Sequence, residues 1–160
     1  MNKVSIIMGS SSDLDTVSEA INILKEFKIP FEAKILSAHR TPKELTKYVE
    51  GSPRRGVKVF IAAAGMSAAL PGVIAAHTIL PVIGIPIESG NLKGLDALLS
   101  IAQMPPGIPV GCMSIGKSGA KNAAIFAVTI IALNDRKTAK RLGDYRVDMR
   151  RKITKSKIKL

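Results

Sequence analysis

The chain has 160 residues, a formal net charge of +12, and a composition that is 46% hydrophobic but only 4% aromatic. This length favours one domain, and the shortage of aromatic side chains argues for a parallel sheet covered by helices rather than an aromatic-rich sandwich. The single cysteine, Cys112, excludes an internal disulfide, fits a reducing compartment, and is interpreted as a small buried residue in a strand. The apolar stretch that ends at Gly9 is too short for a signal peptide or a membrane span, so we expect a cytoplasmic protein.

The hydrophobic pattern predicts strands that alternate with helices along the chain. Strands are predicted over residues 3–8, 31–37, 58–63, 81–85 and 109–113, and helices begin near residues 12, 41, 72, 95, 116 and 135. Thr41 is the expected cap of the second helix, with Pro42 in its first turn. The alternation predicts an α/β fold of three layers, a parallel sheet with helices on both faces, in a single domain over residues 1–160.

Positive charge is concentrated in a basic C-terminal helix and tail from about residue 135. From Asp135 onward there are eleven Lys or Arg residues and three acids. Such a segment is usually solvated, and apart from Tyr145 it carries no aromatic side chain that could stack on bases, so nucleic-acid binding is the less favoured alternative. The preceding helix, which includes Ala123–Leu133, is apolar on nearly every side, and we expect a partner subunit to cover the face that the sheet leaves free.

Three polar segments follow predicted strands, where ligands bind in open parallel sheets. In the first, Gly9 permits a tight turn, the hydroxyls of Ser10 and Ser12 suit a phosphate at a helix N-terminus, and Asp13 could accept from ribose hydroxyls. A plain helix cap is the alternative interpretation of this segment.

The second segment, Ser37–Pro42, places His39 beside Arg40. A guanidinium binds phosphate with its planar fork, and imidazole is the side chain whose charge changes near neutral pH. The alternative is that His39 only closes a hydrogen bond within the loop. The other histidine, His77, has no acidic or cysteine neighbours in sequence and is interpreted as structural.

The third segment, Ala62–Gly72, contains Gly65 among many small residues. These would let the backbone approach a flat ring, although helix-to-sheet packing favours the same residues. The chain has no phosphate-binding loop of the ATPase type, no dinucleotide-binding glycine motif and no metal-ligand spacing. The remaining chemistry is proton transfer on a phosphorylated small molecule, without cofactor or metal.

Together these segments resemble the PurE family over nearly the whole chain. The matching motifs are Met8-Gly9-Ser10-Ser11-Ser12-Asp13, Ser37-Ala38-His39-Arg40-Thr41-Pro42, Leu70-Pro71-Gly72, Gln103-Met104-Pro105, Gly107-Ile108-Pro109-Val110 and Ile115-Gly116-Lys117-Ser118-Gly119-Ala120, which leads to Asn122-Ala123-Ala124. The resemblance implies a flavodoxin-like fold, a homo-octamer, and conversion of N5-carboxyaminoimidazole ribonucleotide to 4-carboxyaminoimidazole ribonucleotide in purine biosynthesis. It implies that His39 is the general acid/base. Substrate-binding residues are then expected at Ser10, Ser12, Asp13, Ser37, Arg40 and Gly65.

The class within the family is the finer question. Arg40 and the Gln103-Met104-Pro105 block look like class I, the mutases, rather than the class II carboxylases that use CO2 directly. The third segment departs from the usual class I pattern, because Met66 replaces a glycine, Ser67 an alanine and Ala69 a histidine. Since Met66 and Ala69 keep the segment apolar, we predict a mutase. A class II carboxylase and a non-catalytic ribonucleotide-binding module are the alternatives.

Overall fold

The computed structural model describes residues 2–156; the rest of the predicted tail lies outside them. Its sheet has five parallel strands in the order β2-β1-β3-β4-β5. The strands are β1 Lys3–Met8, β2 Phe31–Ile35, β3 Val57–Ala64, β4 Val82–Pro86 and β5 Gly111–Cys112. The helices are α1 Leu14–Glu26, α2 Pro42–Glu50, α3 Leu70–Ala76, α4 Leu95–Ala102, α5 Gly116–Ala132 and α6 Arg136–Lys155, with 3-10 turns at Ser11–Asp13 and Pro53–Arg55.

Helices cover both faces of the sheet, which confirms the predicted three-layer α/β architecture. One core joins α1, α5 and the start of α6 to the face of β1 that carries Ile6. The other core joins α2, α3 and α4 to the face that carries Ile7. Adjacent residues of β1 enter opposite cores because successive side chains in a strand point to opposite faces. Buried on both faces, the inner strands are mostly apolar, as is typical of a parallel sheet, with Ser5 as a buried polar residue of β1.

The two edge strands are shorter than predicted. β2 was expected to reach Ser37 but ends at Ile35; Leu36 still donates to the carbonyl oxygen of Met8 at 3.0 Å, and the chain then turns into the loop. The predicted strand at 109–113 is reduced to Gly111–Cys112, and Pro109 has no N–H to donate to a ladder. Cys112 lies in this strand as expected but is only partly buried, and burial raises the pKa of its thiol.

Helix starts also differ in two places. Thr41 precedes α2, with Pro42 in the first turn, but its hydroxyl does not cap the helix. It accepts from the backbone N–H of Ser37 at 2.9 Å and donates to the Ser37 carbonyl at 3.1 Å, so it closes the preceding loop instead. The Ala-rich helix begins at Leu70, inside the segment expected to be loop, because Pro71 suits a first helical turn.

The apolar helix α5 is covered by its own chain on most sides. Its small residues lie against the sheet, α1 packs along it, and α6 covers part of its remaining surface. Phe126 is 44% exposed and Leu133, just after the helix, is 78% exposed. The uncovered apolar surface predicted for this helix is therefore smaller than expected and is represented by Phe126 and Leu133. No helix among residues 2–156 is long and apolar enough to cross a membrane.

Candidate active site

The strand order places the polar segments together. The chain leaves β1 toward β2 on one side and later returns to pair β3 on the other side, which makes the gap between β1 and β3 the switch point where open α/β sheets bind ligands. A cavity of about 560 Å³ lies beyond these strands. Its lining includes all seven residues named from sequence, namely Ser10, Ser12, Asp13, Ser37, His39, Arg40 and Gly65, together with Met66, Ser67, Ala69 and Ser89.

The loop after β1 holds itself together with side-chain hydrogen bonds. Ser10 accepts from the backbone N–H of Ser12 at 3.3 Å, and Asp13 accepts from the backbone N–H of Ser10 at 3.2 Å. The Ser12 hydroxyl lies 2.9 Å from the Ser10 hydroxyl and 3.3 Å from Asp13 Oδ1. This is the reciprocal capping arrangement of a helix start, so the helix-cap interpretation holds and the same residues also face the cavity.

Asp13 is a buried acid at the floor of this loop, only 8% exposed. Burial raises its pKa above the ordinary aspartate value, while hydrogen bonds from Ser10 and Ser12 and the charge of Arg40 oppose that rise. The net shift of the pKa is upward, because desolvation of the charged form is the largest effect. Both carboxylate oxygens accept hydrogen bonds within the loop, and Asp13 also lines the cavity, where it can accept from a ligand hydroxyl.

The loop after β2 presents a histidine and an arginine to the cavity. Nη2 of Arg40 donates to the carbonyl oxygen of Gly9 at 2.8 Å, and its Nε donates to Ser37 Oγ at 3.4 Å. These bonds hold the guanidinium beside the loop after β1 and leave its other N–H groups for a ligand. His39 is exposed beside it and lines the same cavity. Two strands far apart in sequence thus contribute a basic fork, a buried carboxylate and an imidazole to one space.

The loop after β3 forms a wall of small residues. Gly65 lies against Ser89, and a Cβ atom at Gly65 would come closer than 3.0 Å to the Ser89 hydroxyl. Met66, at the position where a glycine was expected, has a φ of +55° and a side chain that is 62% exposed. The backbone therefore keeps a left-handed conformation that favours glycine, although this sequence places Met there.

Sequence reasoning missed Ser89. It follows β4, two residues after the buried Ile87, in a loop that contains Gly90. The signal that could have found it was its place: it is the first small polar side chain beyond a strand adjacent to β3, where the carboxyl ends of parallel strands meet.

His77 lies away from the cavity, as its structural interpretation requires. Its Nδ1 is 3.6 Å from Glu50 Oε1, and its Nε2 is 3.5 Å from the hydroxyl of Thr46. The ring therefore joins the end of α3 to α2. Across residues 2–156, no group of three or more His, Cys, Asp or Glu side chains could hold a metal ion.

Comparisons with known proteins agree on one family. A sequence model of the AIR carboxylase family matches residues 3–152. The chain is 52% identical over 151 residues to an N5-carboxyaminoimidazole ribonucleotide mutase of Pyrococcus abyssi, covering 94% of this chain and 86% of the relative. It is 47% identical over 158 residues to the mutase of Saccharolobus solfataricus, covering 99% of both. The crystal structure of Treponema denticola PurE superposes with a TM-score of 0.87 at 30% identity, covering 96% of this chain and 95% of that one.

Proposed function

The chain belongs to the AIR carboxylase family, and we propose that it acts as an N5-carboxyaminoimidazole ribonucleotide mutase, with His39 as its acid/base residue. The product is 4-carboxy-5-aminoimidazole ribonucleotide, an intermediate of purine biosynthesis. The observation that carries the assignment of residues is that His39, Arg40 and Asp13 line one cavity at the switch point of the sheet. The mutases of Pyrococcus abyssi and Saccharolobus solfataricus, similar over nearly the full chain, support the choice of reaction.

Substrate binding divides between the first two loops. Arg40 offers the N–H groups that its bonds to Gly9 and Ser37 leave free, and the hydroxyls of Ser10 and Ser12 lie on the same side of the cavity. These groups suit the 5′-phosphate, since a charged fork with nearby hydroxyls binds phosphate oxygens. Asp13 suits the ribose hydroxyls, because its buried carboxylate gains donors when they bind.

The aminoimidazole ring would lie on the wall formed after β3. Gly65 and Ala69 offer little side-chain volume there, so a flat ring can approach the backbone closely. The low polarity of this wall also suits CO2, an uncharged intermediate that must not escape into solvent.

The reaction needs one proton carrier. The carbamate nitrogen takes a proton as CO2 leaves, which gives aminoimidazole ribonucleotide and trapped CO2. The ring carbon C4 then attacks the CO2, and loss of the C4 proton restores aromaticity. An imidazole that gives the first proton and takes the last returns to its starting state, so the protons balance on His39. A positioned acid/base typically contributes about a hundred- to ten-thousand-fold to such transfers.

The same proposal includes assembly and location. We expect a homo-octamer that works in the cytoplasm on the ribonucleotide alone, without a cofactor. The exposed Phe126 on α5 and Leu133 beside it support association, since each leaves apolar surface in contact with water that a partner subunit would cover.

The decisive experiment determines where the carboxyl carbon of the product comes from. The purified protein is incubated with N5-carboxyaminoimidazole ribonucleotide in isotope-labelled bicarbonate with EDTA present. A mutase forms product at low bicarbonate and keeps most of the original carboxyl carbon. Full label uptake, with strict dependence on added bicarbonate and on aminoimidazole ribonucleotide, would assign the chain to carboxylases that use CO2 directly. Binding without turnover would make it a non-catalytic module.

A further inference from the structure

One buried hydroxyl in the cavity wall has no hydrogen-bond partner. Among the described residues, Ser89 Oγ is the one buried side-chain nitrogen or oxygen atom that neither donates nor accepts. Buried hydroxyls are almost always paired, because an unpaired one has lost its water without replacement. An exception on the wall of an active site is therefore informative about what binds there.

The surroundings of Ser89 explain how the hydroxyl is kept in this state. Its segment is anchored to the sheet, since the backbone N–H of Ile87 donates to the carbonyl oxygen of Ala64 at 2.9 Å. Gly65 faces it, and the absence of a Cβ atom there leaves the hydroxyl its room. Ser89 also lines the cavity, its hydroxyl proton is free to rotate, and its Oγ has three staggered rotamers available to meet a ligand.

The position of Ser89 along the sheet selects the part of the ligand it meets. Arg40 and Asp13 belong to loops after β2 and β1, whereas Ser89 follows β4, beyond β3. A ligand with its phosphate at Arg40 and its ring on the Gly65 wall would place its ring substituents toward β4. The substituent that needs a donor there is the carboxylate, which is also the group that the reaction moves.

We propose that Ser89 is a substrate-binding residue whose hydroxyl donates to the carboxylate of the carboxyaminoimidazole ring. This rests on the proposed function for the identity of the ligand. The unpaired hydroxyl of the free protein gains its partner when the carboxylated ribonucleotide binds. Aminoimidazole ribonucleotide, which lacks the carboxylate, gains nothing from Ser89, so the residue favours the carboxylated ligand over the bare ring.

The test compares two ligands that differ by the carboxylate. Titration calorimetry on Ser89→Ala should show affinity for 4-carboxyaminoimidazole ribonucleotide reduced by about ten- to a hundredfold, the effect of losing a hydrogen bond to a charged group. Affinity for aminoimidazole ribonucleotide should be unchanged. Ser89→Thr, which keeps a hydroxyl, should recover affinity, and Ser100→Ala, at an exposed serine of α4, should match the wild type with both ligands.

Thermal melting separates binding from packing. Ser89→Ala removes an unpaired buried group, so its melting temperature should equal or exceed that of the wild type. Equal losses for both ligands, or equal losses in the Ala and Thr variants, would assign the effect to packing and overturn the proposal, as would unchanged affinities. Wild-type protein that binds both ligands without turning over N5-carboxyaminoimidazole ribonucleotide would refute the mutase function. The change in affinity for each ligand between wild type and Ser89→Ala would still test the role of Ser89.

Discussion

Nη2 of Arg40 donates a hydrogen bond to the carbonyl oxygen of Gly9 at 2.8 Å. The bond joins the loop after β2 to the loop after β1, so the two segments assigned to phosphate and ribose are held together before any ligand arrives. Such preorganisation reduces the ordering that binding must impose. This arrangement also requires a side chain that donates to a carbonyl oxygen and still has N–H groups left for a phosphate.

Arg40→Lys should therefore weaken binding although the charge is kept. One ammonium cannot reproduce the planar fork, so we expect the dissociation constant for aminoimidazole ribonucleotide to rise about tenfold, and about ten- to a hundredfold in Arg40→Ala. Calorimetry measures both, and melting temperatures should change little because the residue is exposed. The control is Arg54→Lys, at an exposed arginine outside the cavity. Unchanged affinity in both Arg40 variants would remove Arg40 from the phosphate site.

His39→Asn should abolish turnover and leave ribonucleotide binding nearly intact. Asparagine keeps polarity and approximate size but cannot carry the proton between the nitrogen and C4. The measurements are product absorbance and calorimetry on the same preparation. His77→Asn, which alters the histidine between α2 and α3, serves as the control and should keep full activity. Retention of more than a tenth of wild-type activity in His39→Asn would mean that another group moves the proton.

Asp13→Asn should separate stability from function. Because the pKa of Asp13 is raised in the folded chain, its contribution to stability is full below the ordinary aspartate value and is lost as pH rises through the raised pKa. Above the raised pKa the ionised carboxylate destabilises the fold relative to the neutral acid, and the uncharged amide of asparagine removes that cost. Melting temperatures should be similar near pH 4 and higher for the variant at pH 7, while ribonucleotide affinity falls. A variant that loses stability relative to wild type as pH rises would contradict the assigned sign.

Lys28→Gly should stabilise the fold. Lys28 follows α1 with a φ of +55° and is exposed, and a left-handed conformation costs a side-chain-bearing residue about 1–2 kcal/mol. Part of this gain is offset by the greater freedom of glycine in the unfolded chain. We expect a rise of about 2–4 °C in melting temperature. Lys25→Gly, within the last turn of α1, is the matched control and should lower it. A decrease in Lys28→Gly would show that the lysine side chain contributes more than the backbone strain.

Leu133→Asp should weaken self-association. Light scattering on the wild type should give a mass near eight times the 17.0 kDa chain. A charge at this 78% exposed leucine disfavours burial in an interface, so the variant should dissociate at micromolar concentration. Asn134→Asp changes the charge at the next exposed position and should keep the assembly. A monomeric wild type would contradict the proposed octamer.

Local patterns in the sequence were enough to predict the order of elements and the three polar loops. The hydrophobic patterns of buried strands such as β1 and of amphipathic helices such as α1 are visible within a short stretch of sequence, and residues such as Pro42 mark element boundaries. The motif around His39 could be recognised for the same reason, since its residues are adjacent. The ends of β2 and the short β5 were predicted less well, because an edge strand extends only as far as its single neighbour and its own N–H groups allow.

Tertiary structure decided which loops meet and what each side chain experiences there. Strand order depends on contacts between residues far apart in sequence, and it is this order that places Arg40 beside Gly9 and Ser89 against Gly65. Desolvation likewise depends on everything packed around a group, so the raised pKa of Asp13 could not be predicted from its neighbours in sequence. The residue types of the site could therefore be recognised in short motifs. The unpaired hydroxyl of Ser89 could not, because it lies against Gly65 only once β3 and β4 are neighbours in the sheet.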